Sequence, residues 1–148
     1  MRVTGTRTVN AQPEDIWAFL MTPEQLRQCL PGCERFEAPG PDTFEATMRL
    51  GVGFLKGTYR GTIRVEEQRP YEYLRLSVRG SGMLGAMEAR GSVRLEQPTA
   101  GVPITYVHYD GEAEIRGRVA ALGQRVIDST ATRLIGLFFS CLASHVQR

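Results

Sequence analysis

The segment TYVHYDGEAEIR, Thr105–Arg116, decides the fold because its side chains alternate between two classes. Odd-numbered positions are mostly apolar or small, and even-numbered positions are mostly charged or polar. A period of two is that of a β-strand with one buried and one solvated face. The segment therefore predicts an antiparallel strand that covers one side of a hydrophobic core.

The same period of two recurs along most of the preceding chain. Four more alternating segments cover residues 44–50, 55–66, 74–79 and 87–96, and Arg2–Val9 reads as a first strand. Turn residues separate the segments at 39–42, 69–70, 80–82 and 98–101. From about Cys33 to Gly117 we expect a meander, which gives a sheet of about seven strands.

Two short helices are expected directly after the first strand. Pro13 suits the first turn of a helix, where Glu14 and Asp15 would lie beside the positive end of its dipole. Thr22 and Gln25 have the capping-box spacing that starts a second helix. The sequence Leu-Pro-Gly-Cys at 30–33 ends that helix, because proline and glycine both stop it.

The last segment, from Val119 to Val146, returns to a helical period. At 1.5 Å per residue it predicts one helix about 40 Å long, enough to lie across a whole sheet. The order of elements therefore predicts an α+β fold in which a strongly curved antiparallel sheet wraps around the C-terminal helix. The length of 148 residues fits a single domain, residues 1–148.

Composition excludes several classes of protein. The apolar fraction of 42% and the charged fraction of 23% are ordinary for a globular protein, not for a disordered or collagen-like chain. A net charge of +2 is too small to indicate a nucleic-acid partner. Arginines such as Arg60 and Arg90 alternate with glutamates on the solvated face, which favours cross-strand ion pairs. The G-x-G-x-x-G match at 80–85 joins two strands and opens no helix, so it does not indicate a dinucleotide site.

The cysteines and the termini predict a cytoplasmic protein. Three cysteines, Cys29, Cys33 and Cys141, form a poor disulfide framework and fit a reducing compartment. Cys29 and Cys33 are separated by a proline-glycine step that breaks helical alignment, so we expect no metal site and no cofactor. The N-terminus lacks the apolar region of a signal peptide. The longest apolar stretch, Leu134–Ala143, is about half the ~20 residues of a membrane span.

Sixteen glycines exceed the usual proportion of about 7%, and several fall on the buried face of the predicted sheet. Glycine inside a strand marks a bend or a close approach, so it permits curvature, and it also leaves space for a ligand. Both interpretations remain open. The predicted lining of a ligand cavity is Trp17, Met48, Tyr59, Ile63, Leu76, Met83, Met87, Tyr109, Leu134, Phe138 and Leu142.

The polar groups available to such a cavity are few. The hydroxyls of Tyr59 and Tyr109 could hold a carbonyl or hydroxyl of a bound molecule, or they could bond to backbone or water as core tyrosines do. The inward strand positions carry no Asp, Glu, Lys or His, so no catalytic residue is assigned. His108 and Asp110 fall together on the solvated face, and His145 lies near the end of the chain.

Several segments resemble a family of accessory proteins, the G subunits of carbon monoxide dehydrogenase. They are Val9–Leu20, Thr22–Leu26, Leu30–Cys33, Leu50–Gly61 and Gly117–Gly123. The helix start is shared by the wider START-related, birch-pollen-allergen-like superfamily (SRPBCC), which implies a helix-grip fold with a hydrophobic cavity. The G subunits are associated with molybdenum hydroxylases of the carbon monoxide dehydrogenase type. They are implicated in membrane recruitment of that enzyme and in binding a quinone, and they are not the redox catalyst.

The leading hypothesis is non-enzymatic binding of a quinone or lipid-like molecule, as an accessory protein of such a hydroxylase. The alternatives are an assembly or membrane-recruitment factor that acts by protein contact, and an enzyme of the polyketide cyclase kind. Longer relatives carry a C-terminal extension implicated in membrane attachment, and this sequence ends at Arg148. We therefore expect a cytoplasmic protein whose membrane contact is at most peripheral. Ile135, Phe139 and Val146 on the helix flank would be available to a partner or a second copy.

Overall fold

The computed structural model describes residues 1–52 and 55–147. Seven strands and three helices follow the predicted order. The strands are β1 (Arg2–Val9), β2 (Cys33–Gly40), β3 (Thr43–Val52), β4 (Leu55–Arg69), β5 (Tyr73–Gly82), β6 (Gly85–Glu96) and β7 (Thr105–Arg116). The helices are α1 (Pro13–Met21), α2 (Pro23–Cys29) and α3 (Gln124–Val146), and a 3-10 helix at Arg118–Leu122 precedes α3.

All seven strands form one antiparallel sheet in the spatial order β1-β7-β6-β5-β4-β3-β2. The two edges of the sheet, β1 and β2, are not paired to each other, so the sheet is open. The α+β fold with a long C-terminal helix is the one that the sequence predicted. Consecutive strands from β2 to β7 pair as neighbours, because short turns join antiparallel strands.

The alternating pattern is confirmed as the register of the sheet. Val107 of β7 lies opposite Leu95 of β6, and Tyr109 lies opposite Val93. The odd positions of β7 therefore share one face with the apolar residues of its neighbours, here called the inner face. The even positions share the outer face with the arginines and glutamates.

The C-terminal segment differs from the single helix that the sequence predicted. Gly123 has φ +93°, a left-handed conformation that separates the 3-10 helix from α3. The α-helix therefore has 23 residues, a length of about 35 Å at 1.5 Å per residue.

The two N-terminal helices begin as predicted, with Pro13 and Pro23 in their first turns. The predicted capping box is wrong in detail. The Thr22 side chain makes no hydrogen bond to the start of α2. Its hydroxyl instead donates to the carbonyl of Ala18, at 2.6 Å, and so terminates α1.

The core lies at the end of the sheet where α1, α2 and the C-terminal half of α3 meet. Ile16, Phe19 and Leu142 are at most 1% exposed, and burying each side chain contributes roughly 1.5–3 kcal/mol. The fully buried Thr105 hydroxyl donates to the carbonyl of Ala11, at 2.8 Å. This end of the molecule is therefore packed and hydrogen-bonded.

Candidate functional site

The inner face of the sheet is covered at one end and incompletely covered at the other. Leu74, Leu95 and Val107 lie at the covered end and are 2–7% exposed. Further along the same inner face, Val78 and Ala89 are only partly buried. This uncovered half of the inner face, together with the overlying part of α3, is called the chamber below.

Paired glycines form part of the floor of the chamber. Gly61 lies opposite Gly80, and Gly91 lies opposite Gly111. A methyl group built on Gly61, Gly80 or Gly111 would meet only backbone of the neighbouring strand within 4 Å, among the described residues. The glycines therefore leave space above the sheet. The contact of 3.2 Å from such a methyl at Gly61 to the Arg79 carbonyl shows that they also permit close strand approach.

Two tyrosines lie over glycines of neighbouring strands. The Tyr59 ring covers Gly82, with Cδ1 2.7 Å from where a Gly82 Cβ would be. The Tyr109 ring covers Gly5 and packs against Phe139 of α3, with 5.5 Å between ring centroids. Both rings are positioned because their cross-strand neighbour has no side chain.

The Tyr59 hydroxyl is buried and has no hydrogen-bond partner among the residues that the structure describes. Burial raises the pKa of Tyr59 above its ordinary value, so the group remains a neutral donor. A buried hydroxyl without a partner costs free energy. Within the described ranges it is the one buried polar side-chain group in this state.

Helix α3 forms the roof of the chamber. Leu134 and Phe138 are partly buried, and the guanidinium of Arg7 lies 5.5 Å from the ring centroid of Phe139. Phe139 and Val146 are partly buried against the core, and Ile135 is partly buried as well, so each offers only part of its surface to a partner. The α3 residue with a large exposed apolar side chain is Leu137, 46% exposed.

The structure brings together most of the predicted lining residues. Six lie on the inner face of the sheet and are partly buried: Met48, Tyr59, Ile63, Leu76, Met87 and Tyr109. Trp17 and Leu142 are core residues, 7% and 1% exposed, and offer little surface to a ligand. Met83 is 98% exposed in the β5–β6 turn and so lines no part of the chamber.

The cysteines differ from the expectation. Cys29 at the end of α2 and Cys141 in α3 form a disulfide across 112 residues of sequence. Cys33, the nearest cysteine to Cys29 along the chain, is instead the free thiol. His145 joins the pair, with Nδ1 3.8 Å from each sulfur. The spacing of four residues between Cys141 and His145 was the sequence signal that could have placed these two side chains next to each other on a helix.

The outer face carries charge pairs, as the sequence predicted. Arg79 and Arg116 both pair with Glu88, at 3.6 and 3.2 Å. His108 lies on this face, with Nδ1 2.8 Å from the Thr6 hydroxyl and Nε2 2.8 Å from Glu96. Two outer grooves, of about 650 and 1100 Å³, are lined by residues of these mixed charges. Among the described residues this face therefore presents mixed charges and not a single-sign surface for a polyanion.

Comparison with known proteins gives one family and several solved structures. The sequence model of the carbon monoxide dehydrogenase G subunit (CoxG) matches residues 5–147. No curated protein matches the chain. A conserved protein from Geobacillus kaustophilus has a similar structure, with a TM-score of 0.94 at 31% identity over 98% of this chain and 94% of that one.

Two more distant structures share the fold. A START superfamily protein from Mycobacterium smegmatis has a TM-score of 0.75 at 12% identity, over 99% of this chain and 97% of that one. The ZhuI aromatase/cyclase from a Streptomyces species has a TM-score of 0.69 at 13% identity, over 98% and 92%. These two likenesses show the architecture alone.

Proposed function

The chain belongs to the CoxG family, the G subunits of carbon monoxide dehydrogenase, and we propose that it binds an apolar small molecule in the chamber. The proposed ligand is a quinone or a lipid-like molecule. The protein would serve as an accessory subunit of a molybdenum hydroxylase of the carbon monoxide dehydrogenase type. Its fold supports a ligand-binding or accessory role of this general kind.

The observation that carries the proposal is the change in burial along the sheet. The inner face is mostly apolar, with Arg7 as a charged exception, and the core cluster fills its end near α1 and α2. Beyond that end Ala46 is buried, but Val78 and Ala89 are only partly buried. Apolar clefts with a few polar groups are the usual form of a small-molecule site. Where Gly61 and Gly80 lie side by side, no described side chain comes within 4 Å of the position that a Cβ would take on either glycine.

Tyr59 supports a ligand that carries an oxygen acceptor. Its hydroxyl is buried without a partner among the described residues, and a ligand that displaced the groups covering it would satisfy it with a carbonyl or hydroxyl oxygen. A quinone has such an acceptor on an otherwise apolar ring. The gain on binding would include the hydrogen bond that the ligand-free protein lacks.

A role through partner contact is the second candidate, because α3 is exposed over much of its length. It contains an 18-residue window of mean hydropathy 1.4, of which 6% is buried. By length and composition alone this helix could cross a membrane, but core helices of soluble proteins meet the same criterion. Because α3 covers the sheet in this fold, peripheral membrane contact fits it better than a membrane span. The proposed location is cytoplasmic, and the Cys29–Cys141 disulfide does not support it.

A binding role without a chemical step fits the inner face better than a cyclase activity does. Arg7 is the charged side chain on the described inner strand positions, and its guanidinium packs against Phe139. General acid–base catalysis needs a group that exchanges a proton near neutral pH, and arginine does not. The cyclase likeness, at 13% identity, extends only to the fold.

The test is ligand binding by a chamber-filling variant. Protein purified gently from its source would be analysed by native mass spectrometry for a bound isoprenoid or lipid. The purified chain would then be titrated with a short-tail naphthoquinone, with quenching of Trp17, the only tryptophan, as the signal.

The Ala89→Phe variant places a ring in the chamber, and Ser77→Phe places the same ring on the outer face. Ala89→Phe should lose quinone binding and stay folded, and Ser77→Phe should bind as the unmodified protein does. If Ala89→Phe binds as well as the control, or if no lipid co-purifies and no quinone binds, the proposal is wrong. If the variant loses about 1–3 kcal/mol of stability, the space was already filled.

A further inference from the structure

Three side chains with metal-binding atoms meet where α2 contacts α3. Cys29 is the last residue of α2, and Cys141 and His145 lie one turn apart in α3. The two sulfurs and a ring nitrogen of His145 all lie within 4.8 Å of one another. Cys29 is 3% exposed, and the His145 ring packs against Phe19 at 5.4 Å between centroids. The cluster is thus fixed against the core and is separate from the chamber floor.

The spacing of these atoms fits a tetrahedral metal. With zinc bonds of about 2.3 Å to sulfur and about 2.0 Å to nitrogen, neighbouring ligand atoms would be about 3.6 Å apart. His145 Nδ1 is 3.8 Å from the Cys29 sulfur and 3.8 Å from the Cys141 sulfur. Two of the three ligand separations are therefore already near those of a zinc site. Only the two sulfurs, now bonded to each other, would need to move apart.

We propose that the reduced protein binds one Zn²⁺ ion through Cys29, Cys141 and His145, with water as the fourth ligand. Two thiolates and one imidazole are ligands that zinc prefers. The proposal is independent of what the chamber binds, because none of the three residues belongs to the predicted lining.

Gln28 is placed to orient the imidazole. Its side-chain oxygen lies 2.7 Å from His145 Nε2, which can donate its proton there and leave the Nδ1 lone pair for the metal. Such an outer hydrogen bond is the usual support of a metal-bound histidine. Nδ1 also lies 2.9 Å from the Cys141 carbonyl, a contact that is a hydrogen bond only in the tautomer with the proton on Nδ1. Metal binding would select the other tautomer, in which Nε2 carries the proton and the Nδ1 lone pair faces the ion.

Reduction and metal binding are separate, balanced steps. A dithiol reductant supplies two electrons and two protons, converts the Cys29–Cys141 disulfide into two thiols, and becomes a disulfide itself. Zn²⁺ then replaces the two thiol protons, which pass to solvent. A disulfide oxidant reverses the sequence and releases the ion. The zinc ion and the disulfide would thus be alternative links between α2 and α3, and α3 is the roof of the chamber.

The experiment uses Co²⁺ as a spectroscopic probe and Zn²⁺ as its competitor. The full chain is reduced with a phosphine that does not chelate metals, the reductant is removed, and Co²⁺ is added without oxygen. We expect one Co²⁺ per chain, with a thiolate charge-transfer band and the intense visible bands of tetrahedral cobalt, all abolished by Zn²⁺. The oxidised chain should show neither band, a comparison that needs no substitution.

Variants locate the ligands. Cys141→Ser and His145→Ala should remove or shift the thiolate-cobalt spectrum, and Gln28→Ala should weaken the affinity by about tenfold or more. Cys33→Ser is the matched control, because Cys33 is outside the cluster, and it should bind as the unmodified chain does. The proposal is overturned if the reduced chain lacks thiolate bands, if the oxidised chain binds equally well, or if Cys33→Ser removes binding.

Discussion

Replacing Tyr59 by phenylalanine is expected to stabilise the ligand-free protein and to weaken the binding of an oxygen-bearing ligand. The substitution removes only the hydroxyl, which is buried and has no partner among the described residues. Leaving such a group unsatisfied costs about 1–3 kcal/mol. We expect the ring to keep its position over Gly82, because its Cδ1 and Cε1 atoms are the ones nearest to the position of a Gly82 Cβ and the substitution retains both.

Both the stability and the affinity should change by measurable amounts. A gain of about 1 kcal/mol in the free energy of unfolding should raise the Tm by roughly 2–4 °C for a protein of this size. Loss of one hydrogen bond to a ligand, about 0.5–1.5 kcal/mol, should weaken the affinity for a naphthoquinone by roughly two- to tenfold. Two changes of opposite sign are the mark of a group kept for binding at a cost in stability.

The assay is thermal or urea unfolding without ligand, followed by quinone titration. Tyr109→Phe is the matched control, because its hydroxyl is not among the buried groups without a partner. It should leave the Tm nearly unchanged. If Tyr59→Phe lowers the Tm, the hydroxyl already has a favourable partner. If quinone affinity is unaltered, the ligand does not bond to the hydroxyl. Either result refutes the reasoning about the chamber.

Two other predictions concern links between distant parts of the chain. In the oxidised protein Cys141→Ser should lower the free energy of unfolding by about 2–4 kcal/mol, because it removes a disulfide that spans 112 residues of sequence. Cys33→Ser should change that free energy little. Equal urea midpoints for the two variants would contradict the disulfide. The hydrogen bond and charge of Arg2 hold the pKa of Asp110 below its ordinary value. The Arg2→Gln variant should therefore raise that pKa, measured by NMR titration, and any stability from the pair should be lost as pH falls through the folded-state pKa of Asp110; an unshifted titration would show that the pair does not form in solution.

Local sequence patterns determined the elements and the two faces of the sheet. The alternation in Thr105–Arg116 survives in the structure because a strand's side chains point to opposite faces, whatever its neighbours are. Pro13 and Pro23 placed the starts of α1 and α2 for an equally local reason. Gly123 could have shown that the last helix is interrupted, but a glycine in a helical pattern can also be tolerated.

The candidate site was predictable as a face and less so as individual residues. Tyr59 and Tyr109 were placed on the inner face by register, and they are found there. Trp17 and Leu142 share the pattern of lining residues, but they lie at the packed end. Periodicity says which way a side chain faces, and it does not say how far the opposing helix covers it.

The sequence by itself therefore determined the strands, the helices and the apolar inner face, because each depends on residues within a few positions of one another. Only the tertiary structure decided which end of that face is filled, and that Cys29 meets Cys141 and His145 across the chain. Those outcomes depend on where α3 comes to lie on α2 and on the sheet. No short-range sequence pattern encodes the position of α3, since that position results from the packing of all the elements together.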